Sequence, residues 1–571
     1  MATKLAKVDV VIVGVGWGGG IIASELTKAG LSVVGLERGK ERKTEDYYMV
    51  HDELRYALRY EMFQDLSKET ITFRNNEKIR ALPMRSYGSF LLGEGLGGAG
   101  SHWNGQTFRF LPYDFEIKSK TIERYGKNKI PEGMTIQDWG ITYDQLEPYF
   151  LQFEKMAGIS GEENPLGGKR SEKYPTPPMK ISPVMKMFAD ACKGLSYHPY
   201  IMPSANLSET YTNPDGITRA ACQYCGFCER FGCEYGAKAE PIVTVIPVAK
   251  KTGKFEIRTH SNVRRILHKD NKATGVMYVD VTTGEEFEQP ADIVVVTSYV
   301  FNNVRLLLTS NVGRPYDPAT GTGVIGKNYA YQVEAAAAVG FYENKEFNLF
   351  AGAGSLAMTI DDFNGDNFDH KDLNFIHGAS ISFGQSGNRP IQNNTVPPDT
   401  PSWGKDFKAS SIKYFNRNIS VWAEGSCMPY QQHFLDLDPT YKDSFGDPLV
   451  RITFDFEERD RELVKFMGTK CGEVLKQMGA DQVVTYNEQG PYEITHYQST
   501  HNTGGVIMGA SPDTSAVNSY LQMWDMENVF VVGASAFAHN SGYNPTGTVG
   551  ALAYRAADGI VKYSKSGGML V

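Results

Sequence analysis

The apolar residues of this chain come in short, sharply bounded runs. Val8–Val13 is β-branched apart from Asp9, a glycine-rich stretch follows from Gly14 to Gly20, and Ile21–Ala29 is amphipathic until Gly30 stops it. A second run, Leu31–Leu36, ends on Glu37. This order predicts strand, turn, helix and strand, the βαβ unit of a parallel sheet. Strand signals return at Phe255–Thr259, Val263–His268, Ala273–Val281 and Asp292–Thr297, with a turn at Thr283 and Gly284, and predict a meander that feeds back to that sheet. The end of the chain repeats its beginning: a run at Val529–Val532, then Gly533, then a helical pattern over Gly547–Ile560. Between these parts, the charged, tyrosine-rich stretch from Lys40 to Arg80 predicts helical or irregular structure. Residues 331–500 predict mixed strands with one clear helix, Arg459–Met478, whose apolar positions are Leu463, Phe466, Met467, Val474 and Leu475. The fold class expected is α/β, with one domain built from both termini and a second inserted between them.

Composition narrows the partners. Hydrophobic residues at 41%, aromatics at 12% and charge at 22% of 571 residues are enough to build a core and exclude a disordered chain. No apolar run approaches the roughly 18 residues of a membrane span, and the densest, Ala291 to Val300, is one strand long. A net charge of -8 offers no basic footprint for nucleic acid. Asp9 interrupts the N-terminus before any apolar stretch of a secretory signal develops. The 58 glycines matter most, because 16 of them crowd into three short stretches, Gly14 to Gly20, Gly88 to Gly105 and Gly533 to Gly550.

In the first of these, Gly14, Gly16 and Gly19 fill the pattern G-x-G-x-x-G. The first glycine makes the turn, the second lets backbone approach a pyrophosphate and the third lets helix pack on strand, while Glu37 is placed to bind a ribose hydroxyl. FAD and NAD bind such a unit alike, so the motif leaves the dinucleotide open. Glycine density from Gly88 to Gly105 indicates backbone passing close to something large and flat, or a flexible loop.

Four separated places now carry a resemblance: Val11 to Gly20 with Glu37-Arg38-Gly39; Gly97-Gly98-Ala99-Gly100-Ser101-His102-Trp103-Asn104; a cysteine-rich segment; and Asn544-Pro545-Thr546-Gly547 before the last helix. In this order and over the whole length the chain resembles the glucose-methanol-choline (GMC) flavoprotein oxidoreductases. Within them it is similar to large subunits of bacterial sugar and sugar-acid dehydrogenases, gluconate-oxidising ones included. The resemblance implies a Rossmann-like FAD-binding domain from residues 1–40, 85–112, 216–330 and 505–571, interleaved with a substrate domain from residues 41–84, 113–215 and 331–504 built on an antiparallel sheet with helices. It implies FAD contacts at Gly14, Gly16, Gly19, Glu37, Gly97, Gly98, Ser101, His102, Asn104, Val263, Gly533, Ala534, Pro545 and Thr546. The chain departs from the family pattern at Thr297-Ser298-Tyr299, where many members have small glycine turns, and at Gly533, where an acid is frequent.

The family's catalytic pair falls on His501 and Asn544. Oxidising an alcohol requires a base active near neutral pH and a group that orients the hydroxyl, and imidazole with an amide meets both needs. A capping histidine and an ordinary Asn-Pro turn would read the same in isolation, and His539 is a rival base. Hydride is expected to pass to FAD, with a secondary alcohol of a sugar or sugar acid as substrate and D-gluconate to 2-keto-D-gluconate as the leading case. Other polyol, aldose, fructose or 2-ketogluconate dehydrogenases, and an oxygen-using oxidase, are the alternatives.

Cys222, Cys225, Cys228 and Cys233 read C-x2-C-x2-C-x4-C. Spacings this short suit an iron-sulfur cluster, [3Fe-4S] or [4Fe-4S], better than a structural zinc, with disulfides a third option. The ending Cys233-Glu234-Tyr235-Gly236-Ala237 matches the cysteine segment of related dehydrogenase subunits, where a cluster passes electrons to a cytochrome. The resemblance therefore implies a small subunit bearing an export signal, a cytochrome c subunit and the periplasmic face of the inner membrane, with a cytoplasmic enzyme as the alternative. Cys192, Cys427 and Cys471 are expected to be buried small hydrophobes.

Overall fold

Val8–Val13 forms a strand buried over its last four residues, as a central parallel strand covered on both faces must be. Asp9, the polar break in the run, sits at the rim, where its carboxylate accepts Ser32 N–H and Oγ–H at 2.7 Å each. The strand pairs in parallel with Val33–Leu36 on one side and with Glu286–Val296 on the other. The structure, a computed structural model, describes residues 2–48, 62–85, 90, 92–334, 336–348, 350–387 and 394–570. The 49–61 part of the tyrosine-rich stretch and Gly88 lie outside the described residues.

Three strands of the predicted meander are present, while its first, Phe255–Arg258, instead pairs in parallel with Val33–Leu36. Ser261–Lys269, Lys272–Asp280 and Glu286–Val296 run antiparallel to one another, and the last of them turns parallel to Val8–Val13. Val529–Val531 also pairs with Glu286–Val296, so that Val294 lies opposite both Val11 and Val529 and the two ends of the chain meet in one sheet. Phe255–Arg258 and Thr3–Lys4 complete its eight strands.

The first helix starts earlier than the sequence pattern suggests, at Trp17, and runs to Lys28. Gly18 to Gly20 are therefore helix rather than turn. Packing accounts for a glycine at this point of the helix: a Cβ on Gly20 would stand 2.8 Å from Val245. The last helix, Thr546–Ser566, packs against both Trp17–Lys28 and Tyr143–Ala157.

A second sheet of six antiparallel strands is ordered Gln482–Tyr486, Ala337–Phe341, Asn418–Gly425, Ala379–Gly384, Ala357–Ile360 and Tyr200–Ile201. Helix Glu458–Gln477 covers it, burying Leu463, Met467, Val474 and Leu475 of the predicted face. Each such side chain contributes about 1.5–3 kcal/mol by leaving water. Together the sheets give the mixed α/β architecture expected, with one layer set mostly parallel and one antiparallel. No described helix is long and apolar enough to cross a membrane.

Candidate active site

A cavity of about 670 Å³ is lined from both sheets, by Gly14, Gly16 and Glu37 on one side and by Trp422, Glu424, His501 and Asn544 on the other. The first strand ends at Gly14, where φ is +89° and a Cβ would stand 2.9 Å from Thr297 O, so that only glycine fits. Gly16 then caps helix Trp17–Lys28 without a side-chain hydrogen bond, leaving first-turn N–H groups for an anion. Glu37 is fixed by Val15 N–H at 3.1 Å and Gly39 N–H at 2.9 Å, and its remaining lone pairs stay on the cavity wall. Burial raises its pKa against these two donors.

The second glycine-rich segment touches the first: Gly97 N–H donates to Val15 O at 2.9 Å, and Gly98 lies against Gly16. Its turn brings Gly98, His102 and Asn104 to the wall. Burial and the cations Lys238, Arg42 and Arg230 push the His102 pKa down to about 3, so this imidazole is neutral. Its Nε2 and the Asn104 and Gln106 side-chain oxygens are buried without partners among the described residues. Val263, Gly533, Ala534, Pro545 and Thr546 also line the cavity. Helix Thr546–Ser566 starts there without a side-chain cap.

Gly19, Gly97 and Ser101 are not on the wall. A Cβ on Gly19 would stand 2.1 Å from Gly14 O, so this glycine lets helix pack on strand. Gly97 and Ser101 face each other behind the turn, where Ser101 Oγ–H donates to Leu96 O at 3.4 Å. Thr297, Ser298 and Tyr299, the departure from the glycine pattern, do reach the cavity.

His501 and Asn544 meet: Asn544 Nδ2 lies 2.9 Å from His501 Nε2. The other imidazole nitrogen, Nδ1, is 2.9 Å from Glu334 Oε1, whose second oxygen accepts Tyr331 O–H at 3.0 Å. The pair is close but not aligned as a hydrogen bond; a proton on Nδ1, beside that carboxylate, leaves on Nε2 the lone pair that Asn544 Nδ2 faces. Burial alone would lower the His501 pKa, but Glu334 and then Glu424 outweigh it and raise it. The loop is pinned by Asn540 Nδ2 to His501 O, by Tyr299 O–H to Ser499 O and by Asn502 Nδ2 to Tyr299 Oη at 3.0 Å.

Glu334 and Glu424 were not among the residues singled out from sequence. Their signal was an acid inside an otherwise apolar strand pattern, Val333-Glu334-Ala335 and Ala423-Glu424-Gly425. The rival base His539 is fully buried away from the cavity. Its Nε2 lies 3.1 Å from Asp114, which also holds His377 Nε2 at 2.7 Å. These three ligand atoms converge as metal ligands would. Trp139 N–H, however, donates to His539 Nδ1 at 3.1 Å, so the Nε2 of that ring carries the proton toward Asp114. The cluster is a hydrogen-bonded clamp on the segment that bears Asn540 and Asn544.

The four clustered cysteines are free thiols, as are Cys192, Cys427 and Cys471, which are buried. Asn206 Nδ2 faces Cys222 Sγ at 3.8 Å and Cys228 Sγ at 3.6 Å, and Tyr224 N–H donates to Cys222 Sγ at 3.4 Å. Burial pushes the Cys222 thiol up to about 12 and that of Cys225 up to about 11. Among the described residues no three of these sulfurs lie within 4.8 Å of one another. Four thiolates at the roughly 2.3 Å bond length of zinc would be closer than that. Cys228 abuts the cavity wall, since a Cβ on Gly354 would touch both Asn104 O and Cys228 Cβ.

Comparison with known proteins bears on this geometry. The N-terminal GMC oxidoreductase model matches residues 139–334 and the C-terminal one residues 429–553. The gluconate 2-dehydrogenase flavoprotein of Pantoea cypripedii is 44% identical, covering 100% of this chain and 96% of that one. The chain belongs to the GMC oxidoreductases. It is an FAD-dependent enzyme of the family that acts on CH–OH groups. The fructose dehydrogenase large subunit of Gluconobacter japonicus is 26% identical over 99% of this chain and 100% of its own. The 2-methyl-1,2-propanediol dehydrogenase of Mycolicibacterium austroafricanum is 28% identical over 98% and 96%. Among solved structures, Aspergillus oryzae formate oxidase shares the fold at a TM-score of 0.62 and 15% identity, over 98% of this chain and 99% of that one. Pyridoxine 4-oxidase from Mesorbium loti does so at 0.58 and 17%, over 97% and 99%.

Proposed function

We propose that this GMC oxidoreductase is a dehydrogenase that oxidises a secondary alcohol of a sugar or sugar acid, with D-gluconate to 2-keto-D-gluconate as the leading case. The observation that carries the reading is the His501–Asn544 pair on the cavity wall, with His501 Nδ1 against Glu334. His501 Nε2 takes the hydroxyl proton, exchanging its contact with Asn544 for one with the substrate. Glu334 stabilises the imidazolium that forms, and the Asn544 amide holds the substrate oxygen. FAD, when bound, supplies the acceptor for the hydride that leaves carbon. The chain fits that group: uncapped helix starts at Gly16 and Pro545, the Gly14 and Gly98 approach, and the unpartnered His102 Nε2 and Asn104 Oδ1 all lie on one cavity.

For the onward path we assign an iron-sulfur cluster, [3Fe-4S] or [4Fe-4S], to Cys222, Cys225, Cys228 and Cys233. The C-x2-C-x2-C-x4-C order supports this, as do the N–H donors on Cys222 and Cys228 and the position of Cys228 beside Asn104. Relatives named as a flavoprotein and as a large subunit support a multi-subunit enzyme. Its small subunit would carry the export signal and a cytochrome c subunit would receive the electrons, at the periplasmic face.

A second reading, a neutral polyol or ketose as substrate, is favoured by the two carboxyls beside His501, which oppose an anionic substrate. The test is anaerobic bleaching of the purified holoenzyme by D-gluconate, D-fructose and 2-methyl-1,2-propanediol, followed by an artificial acceptor. Bleaching by D-gluconate supports the first reading, and bleaching by the uncharged compounds alone supports the second. Rapid hydrogen peroxide release in air by an iron-free protein would overturn the dehydrogenase.

A further inference from the structure

One carboxyl on the cavity wall is left over by the proton transfer. Glu424 lies in strand Asn418–Gly425, two residues from Trp422 and therefore on the same strand face, and both line the cavity. Its Oε1 accepts Asn544 Nδ2 at 3.4 Å and the Trp422 side chain also hydrogen-bonds this carboxyl, while the buried Oε2 makes no well-aligned hydrogen bond to a described residue. Asn544 is oriented by this arrangement. Its amide group faces two acceptors, His501 Nε2 and Glu424 Oε1, so its oxygen is the end left open, and Oδ1 indeed has no partner among the described residues.

The site thus brings together a base, an amide oxygen and a carboxyl oxygen, the two oxygens buried and without partners among the described residues, on residues that line one cavity. Buried carboxyl oxygens are seldom left unsatisfied, and one facing a cavity marks the position of a ligand's polar group. Glu334 already serves His501 Nδ1, and Glu424 makes no contact with the imidazole that proton transfer needs.

We propose that Glu424 selects the substrate by binding the hydroxyl on the carbon next to the one being oxidised, so that the enzyme prefers vicinal hydroxyl compounds. This rests on His501 and Asn544 holding the reacting hydroxyl, as argued above. The reacting hydroxyl donates to His501 Nε2 and its oxygen accepts from Asn544 Nδ2, and because that same amide contacts Glu424, the neighbouring hydroxyl comes within reach of the Glu424 carboxyl. A carboxyl can hold that hydroxyl in either protonation state, accepting from it when ionised and donating to it when neutral. Burial, opposed by His501 and assisted by Glu334, holds the Glu424 pKa up at about 7, so both states are available in the working range.

The experiment compares substrate pairs that differ only in this hydroxyl: D-gluconate against 3-deoxy-D-gluconate, and the uncharged pair butane-2,3-diol against butan-2-ol. It is run on the holoenzyme and on Glu424→Ala and Glu424→Gln, with the flavin spectrum as the check on folding and FAD content. The wild type is expected to prefer the hydroxylated member by about 10- to 100-fold in kcat/KM, the worth of a hydrogen bond to a carboxyl. Glu424→Ala should bring the ratio within about threefold, well below the worth of one such bond, and Glu424→Gln, whose amide still hydrogen-bonds, should keep part of it. Where Glu424→Ala fails to hold FAD, Glu424→Gln decides: an unchanged ratio overturns the proposal. A loss of the same factor on both members of a pair also overturns it, because that is what a merely structural role would do. In either of these cases the wild type still oxidises a substrate and the reading of His501 stands. A wild type that oxidises no member of either pair overturns both.

Discussion

Replacing Glu334 by Gln removes the carboxylate that lies 2.9 Å from His501 Nδ1 and leaves an amide of nearly the same shape. In the wild type, burial pulls the imidazole pKa down, and Glu334 and Glu424 more than compensate, so the net value is raised. An opposite charge at this range moves a pKa by about 1–3 units, and Glu334 is the nearer of the two acids. The base form of His501 exists above its pKa, so kcat/KM of the wild type rises with pH through the raised value. In Glu334→Gln that acid limb should move down by about 1–3 units. The plateau should fall about 10- to 100-fold, because the weaker base is also no longer held in the Nδ1–H form. The assay is anaerobic stopped-flow reduction of the bound flavin by D-gluconate across neutral pH. An acid limb that stays in place, or that moves up, would refute the assignment of Glu334 to His501.

Three other parts of the molecule respond to substitution as well. Gly14→Ala forces a side chain at φ +89° against Thr297 O, a strain of about 1–3 kcal/mol that should weaken FAD binding tenfold or more in a titration of the apoprotein. Cys228→Ser should lower iron and acid-labile sulfide per chain and slow electron transfer to an artificial acceptor while substrate still bleaches the flavin; unchanged iron content would remove the cluster from the account. Asp114→Ala should lower stability to urea by about 3–5 kcal/mol, since it leaves two buried imidazole N–H groups without an acceptor. Burial would raise the Asp114 pKa, but His377 and His539 hold it well below the ordinary range. Its contribution is therefore present above the usual carboxylate pKa and lost as pH falls through the depressed one, so the gap between variant and wild type should close in strong acid.

What could be read along the chain was whatever depends on near neighbours in sequence. The βαβ unit, the meander after Phe255 and the late return at Val529 are periodic patterns with glycine punctuation, and they reappear as strands of one sheet. Helix boundaries were read less well. Gly18 to Gly20 look like a turn in sequence and are helix, and Gly20 is small because Val245 crowds that face, a contact between residues far apart in the chain. The glycine excess splits for the same reason. Gly14, Gly16 and Gly98 reach the cavity, whereas Gly19 and Gly97 serve packing behind it. His501 and Asn544 could be chosen by motif, but the acids that set their chemistry could not. Glu334 follows the short strand Ala330–Tyr331 and Glu424 lies in Asn418–Gly425, and only the pairing of strands distant in sequence brings both to the imidazole. His539 shows the converse. It has the residue type and spacing of a base, yet Asp114 and Trp139 enclose it away from the cavity.

The central claim is that His501 takes the substrate proton in an enzyme that oxidises a sugar or sugar acid through FAD. It is tested most directly by single-turnover flavin reduction in the wild type and in His501→Ala, both loaded with FAD and mixed anaerobically with D-gluconate. Bleaching is expected in the wild type, with a rate about 10²- to 10⁴-fold lower in the variant, the usual worth of a positioned general base. Equal rates in the two proteins would contradict it.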